Sequence, residues 1–104
     1  MYIHTFALRW VEGATEDQKR RAKNEILALQ GKIQGLLATH VGENLSPRGK
    51  GTSFGGVMMF ADRGSFDRYF VHPLHDQLIS WLMPLVDPTE LDIEPTSSFE
   101  EYKR

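Results

Sequence analysis

With 104 residues, 40 % of them hydrophobic and 11 % aromatic, the chain has enough apolar surface for one folded domain and too little for a second core. Twelve Lys and Arg against fourteen Asp and Glu leave a formal charge of −2, so there is no long-range positive field to attract a phosphate backbone, and nucleic acid is not an expected partner. Cysteine is absent, which excludes disulfides, thiol nucleophiles and zinc–thiolate sites.

Tyr2 to Trp10 alternates as a strand does, with Tyr2, His4, Phe6, Leu8 and Trp10 on one face and Ile3, Thr5, Ala7 and Arg9 on the other. Both faces are partly apolar, so both are expected to be covered, one by helices and one by a second sheet. Glu12-Gly13 ends the strand. Thr15-Glu16-Asp17-Gln18 then has the form of a capping box, with acidic residues suited to the positive end of a helix. Ala22, Ile26, Leu29 and Ile33 follow at helical spacing, and Gly31 and Gly35 bracket the exit. Lys19, Arg20, Arg21 and Lys23 fall inside this helix and read as its solvated face.

Leu36 to Leu45 and Ser53 to Asp62 read as the second and third strands, joined by the turn-rich Ser46-Pro47-Arg48-Gly49-Lys50-Gly51. Gly55-Gly56 in the third strand allows close approach of a neighbour. Gly64 and Ser65 open a short helix carrying Phe66, Tyr69 and Phe70. Pro73 disfavours helical geometry at His72 and suits the first position of a new helix, whose apolar face is Leu74, Leu78, Trp81 and Leu82, with Pro84 at its end. Glu90 to Glu94 reads as a short last strand, leaving residues 96–104 as a polar tail in which Phe99 and Tyr102 could dock on a neighbour. No apolar run approaches the ~20 residues that span a bilayer, and the N-terminus does not open as a secretory signal, so a cytoplasmic protein without membrane attachment is expected.

Strand, helix, strand, strand, helix pair, strand is the order of a ferredoxin-like, split βαβ α+β domain over residues 1–95: a four-stranded antiparallel sheet with helices on one face. No helix remains for the other face. A second copy of the sheet is its simplest cover, which predicts a homodimer.

Most of the chemistry-bearing residues lie in Tyr69-Phe70-Val71-His72-Pro73-Leu74-His75. His72 falls at the N-cap of the last helix and His75 in its first turn, where the helix dipole disfavours an imidazolium. A neutral His75 can accept a proton as a general base does, and Tyr69 can present its phenol to a carbonyl oxygen that is gaining charge. His4 projects from the first strand on the face of Phe6 and Leu8, toward these helices. Each has a structural alternative: His72 as a cap, His4 as a hydrogen-bonded core histidine, Tyr69 as a packed ring. His72 and His75 also form an H-x-x-H pair, but they straddle a helix start and lack a neighbouring Cys or Glu, so a metal site is not expected.

The sequence resembles the stress-responsive A/B-barrel (Dabb) family from about Tyr2 to about Glu94. The resemblance is carried by Ile3-His4-Thr5-Phe6, Val41-Gly42-Glu43-Asn44-Leu45-Ser46, Phe60-Ala61-Asp62 and, most specifically, Tyr69-x-x-His72-Pro73-x-His75. It implies a ferredoxin-like protomer, a homodimer whose two sheets close into a barrel, and no organic cofactor. Most members have no assigned reaction. A few plant members are polyketide cyclases that perform an aldol-type ring closure, in which the residues matching His75 and Tyr69 act as base and oxyanion-side donor and the one matching His4 lines the pocket. A further pocket histidine of those cyclases corresponds here to Phe54, which cannot orient a substrate oxygen.

These expectations define a catalytic set of His75, Tyr69 and His4 and a ligand-contacting set of Phe54, Phe6, Phe66 and His72. The chemistry would be a cofactor-independent cyclase, isomerase or lyase step on a carbonyl compound. Two alternatives stay open: a non-catalytic, stress-responsive structural dimer whose cavity is filled by Phe54, Met58 and Phe66, and a cofactorless monooxygenase with Trp10 or Trp81 lining its pocket.

Overall fold

The computed structural model describes residues 1–99. Its elements are β1 (Tyr2–Trp10), α1 (Glu16–Leu27), β2 (Leu36–Glu43), β3 (Phe54–Phe60), α2 (Arg63–Phe70), α3 (Pro73–Leu82), a 3-10 turn (Met83–Leu85) and β4 (Val86–Ile93). The strands form one sheet in the order β2-β3-β1-β4, every neighbouring pair antiparallel, which is the ferredoxin-like arrangement.

The capping box forms as its residue types require. The Gln18 main-chain N–H donates to the Thr15 hydroxyl, and the Thr15 N–H donates to Gln18 Oε1. α1 is shorter than the apolar spacing suggests, ending at Leu27 with Ala28 as its C-cap. Leu29 and Ile33 lie past its end but stay buried, because the turn through Gly31 and Gly35 folds back onto the core. At Gly35 the backbone has φ +85°, and a Cβ there would overlap the buried Ser65 hydroxyl, so only glycine fits. The cations of α1 are paired on its surface, Lys19 with Glu16, Arg20 with Asp17, Arg21 with Glu25 and Lys23 with Glu43.

Strand limits differ from the sequence expectation. β2 stops at Glu43, and β4 begins at Val86, four residues before Glu90, and ends at Ile93. Pro88 conceals this start in the sequence. β4 is an edge strand opposite β1, and an edge position tolerates a residue that lacks an N–H donor.

The register sorts the residues by face. His4 pairs with Met58 and Asp92, Phe6 with Gly56 and Glu90, and Leu8 with Phe54 and Pro88, all on the helix-covered side. The core lies there, with Leu8, Ile26, Leu36, Phe54, Met58, Phe60, Tyr69, Leu78 and Leu82 buried. Gly56 makes room for Phe6, since a Cβ at that position would strike the Phe6 ring. The opposite face presents Ile3, Thr5, Ala7, Val57, Met59, Leu91 and Ile93, of which Leu91 and Ile93 are exposed. No helix among the described residues is long and apolar enough to cross a membrane. Phe99 is exposed, and the expectation that Tyr102 docks on a neighbour lies outside the described residues.

Candidate functional site

Two helix starts and one strand pairing build the candidate site. Asp62 caps α2: its Oδ1 accepts from the main-chain N–H of Ser65 and from the Ser65 hydroxyl, and those bonds hold its carboxyl below the usual carboxylate range. α2 then presents Phe66 and Tyr69 to the sheet. His72 caps α3, its Nδ1 accepting from the Leu74 N–H at 3.0 Å, with Pro73 at the first helical position. That cap aims His75 back at Tyr69. The two rings meet edge to face with centroids 4.8 Å apart, and Phe70 covers His75 at 5.3 Å.

His75 Nδ1 is buried and has no hydrogen-bond partner among the described residues. The nearest carboxylate, Asp76 Oδ1, is 4.0 Å away, and the Phe70 carbonyl lies near the ring without reaching hydrogen-bond geometry at that nitrogen. Burial is the main influence on this imidazole and pulls its pKa below 6.5. Asp76 opposes the shift without overcoming it. The ring is therefore neutral at pH 7. Tyr69 is 4 % exposed, and burial, reinforced by the negative Glu90, pushes its phenol well above the ordinary range, so it stays a proton donor.

His4 is held differently. Its Nδ1 lies 2.5 Å from Asp92 Oδ1, directly across the β1–β4 pairing, and Tyr2 donates its hydroxyl to the other Asp92 oxygen at 2.8 Å. A carboxylate only accepts, so His4 Nδ1 carries a proton and donates it to Asp92. Nε2 faces Glu90 Oε1 at 4.0 Å. Partial burial and the bond to Asp92 push the Tyr2 phenol up to about 12. Phe66 packs on His4 at 5.2 Å and stacks on Tyr2 at 4.5 Å, joining the two halves of the site.

A cavity of about 40 Å³ lies between the sheet and the helices, lined by apolar groups that include Phe6, Leu78 and Leu82, and by Tyr69 and Glu90 as its polar edge. His75 and His4 stand just behind that edge, one against Tyr69 and the other against Glu90, and do not line the cavity themselves. The site therefore gathers His4, Tyr69, His75, Phe6 and Phe66. Phe54 lies elsewhere: it is 1 % exposed and stacks on Trp10 at 4.9 Å, at the end of β1 away from His4. The Nδ1 of His72 is engaged by the helix cap. Trp10 and Trp81 are also outside the cavity, Trp81 lying beneath Arg21 and donating to Glu25.

Sequence reasoning missed Asp92 and Glu90. Both sit on β4 at the parity of Val86, and starting the strand at Val86 places them on the His4 face. The signal was present, but Pro88 obscured it.

The fold and the site define a ferredoxin-like α+β domain with aromatic and histidine groups under its last two helices. The chain matches the Stress responsive A/B Barrel Domain family, Dabb, over residues 3–94, and it belongs to that family. Among solved structures it is similar to an Arabidopsis thaliana protein (18 % identity, TM-score 0.85, covering 96 % of this chain and 100 % of the other). It is also similar to a dimeric ferredoxin-like protein of unknown function from Thermobifida fusca (22 % identity, TM-score 0.77, 88 % of each chain). A third likeness is to the hydroxynitrile lyase of Passiflora edulis (16 % identity, TM-score 0.78, 93 % of this chain and 96 % of that one). No curated protein matches by sequence.

Proposed function

We propose that the protein is a homodimer closed sheet to sheet, and that the crevice beneath α2 and α3 performs cofactor-independent acid–base chemistry on a small carbonyl compound. The observation that carries this is the buried, partnerless Nδ1 of a neutral His75 set against a protonated Tyr69. An unsatisfied buried polar atom costs about 1–3 kcal/mol, a cost that functional sites retain and cores remove.

The step is an enolisation. Once the Tyr69 ring moves aside so that the substrate reaches His75, the substrate's α C–H bond breaks, its proton passes to His75, and the electron pair moves into a new C=C bond as the carbonyl oxygen becomes negative. Tyr69 donates its hydroxyl proton in a hydrogen bond to that oxygen. His4, oriented by Asp92, presents its Nε2 edge toward Glu90 at the polar edge. The enolate then closes onto a second carbonyl, isomerises or expels a leaving group. That a hydroxynitrile lyase shares the fold supports a lyase-type outcome on this scaffold. For the dimer, the apolar open face and the dimeric Thermobifida protein are the support.

The rival is a non-catalytic dimer, and the small volume of the cavity favours it. Deuterium exchange into the methyl groups of acetone, followed by proton NMR in D2O, separates the two. Wild type is expected to accelerate exchange over free imidazole, with His75→Ala and Tyr69→Phe each losing about 10²-fold or more of that acceleration. A folded His75→Ala protein that keeps the full rate removes His75 as the base. A wild type that accelerates neither acetone nor other small carbonyls overturns the acid–base reading in favour of a non-catalytic protein.

A further inference from the structure

We infer that Glu90 makes this crevice selective against anionic substrates, so that it takes neutral or cationic small carbonyl compounds. This rests on the carbonyl chemistry proposed above and names the substrate class of the same site.

The cavity wall is apolar apart from two groups, the Tyr69 phenol and the Glu90 carboxylate. Glu90 reaches this position because the β1–β4 register sets it opposite Phe6 on the helix-covered side. Its side chain is 58 % exposed, which places the carboxylate at the rim, with its inner side toward His4 Nε2. The cavity holds little more than the reacting carbonyl of a three-carbon ketone, and Glu90 is the one carboxylate on its wall, so a charged substituent on that ketone lies in the field of Glu90.

Among the described residues, the carboxylates around this edge have only the imidazoles of His4 and His75 within ion-pair distance. Asp92 is engaged by His4 and Tyr2, and Asp76 flanks His75. Among the described residues, neither Lys nor Arg pairs with Glu90, Asp92 or Asp76, and Arg63 is paired with Glu94. A carboxylate on the substrate would therefore meet like charge at Glu90, and a cation would meet a partner. Solvent at the rim screens the effect, which sets its size at roughly five- to tenfold between substrates of opposite charge.

The test uses three methyl ketones: acetone, pyruvate and acetonyltrimethylammonium, whose charge does not titrate. Deuterium exchange is measured with the whole protein and normalised for each ketone to its rate with free imidazole. Dissociation constants are obtained in parallel from NMR chemical-shift titrations. Wild type is expected to favour the cation over pyruvate roughly five- to tenfold by both measures. Glu90→Gln should bring that ratio near one and Glu90→Lys should invert it, while 1 M NaCl narrows the wild-type ratio.

If wild type binds the ketones with the expected preference but exchanges none of them, the acid–base proposal fails and the selectivity stands. If Glu90→Gln folds and leaves both ratios unchanged, or none of the three ketones binds, the selectivity is wrong.

Discussion

At the residue scale, the two site histidines are controlled by opposite means. His4 is fixed by a carboxylate across the β1–β4 pairing, whereas His75 is kept neutral by burial beside Tyr69 and Phe70. The second arrangement has a consequence for stability. A histidine whose folded-state pKa lies below its unfolded value of about 6.5 binds fewer protons folded than unfolded between those two values. Its contribution is fully present above pH 6.5 and is lost as the pH falls from there through the lower, folded pKa. Urea midpoints measured between pH 7.5 and 5 should therefore fall more steeply for wild type than for His75→Gln, which has no proton to gain. Equal slopes would mean that burial does not perturb the ring. The exchange activity should follow the same limb, declining below pH 6.5 as His75 takes up its proton.

At the element scale, caps place the site. α3 begins at Pro73 because His72 is extended, with ψ 141°, and its ring accepts from Leu74. His72→Ala should cost about 1 kcal/mol in urea unfolding, as loss of an N-cap does. It should reduce exchange only through a less well ordered His75. A variant that loses activity at unchanged stability would instead put the ring of His72 in the ligand site. The helix starts were readable from sequence because caps are local: Thr15-x-x-Gln18 and His72-Pro73 each act within one turn. The start of β4 was not, because whether Pro88 is tolerated depends on which edge of the sheet the strand occupies.

At the scale of the whole molecule, the open sheet face is where the proposed dimer would close. Val57 stands near its centre opposite Thr5, and Leu91 lies across β1 from it. Sedimentation should show a dimer for wild type, and Val57→Lys combined with Leu91→Lys should weaken it at least 100-fold by placing four ammonium groups in an apolar interface. A wild type that sediments as a monomer at micromolar concentration would remove the sheet-to-sheet dimer.

The order of elements, the two-faced first strand, the capped helices and the family were all legible in the sequence, because alternation, helical spacing and cap chemistry are properties of short segments. His4, Tyr69 and His75 could be singled out for the same reason. Their surroundings could not. That Asp92 and Glu90 meet His4 across a register, that Phe54 packs under Trp10 away from the other site residues, and that the cavity closes to about 40 Å³ all depend on strand pairing and side-chain packing between distant segments. A one-residue change of register would have turned both carboxylates to the other face, so only the tertiary structure could decide their place.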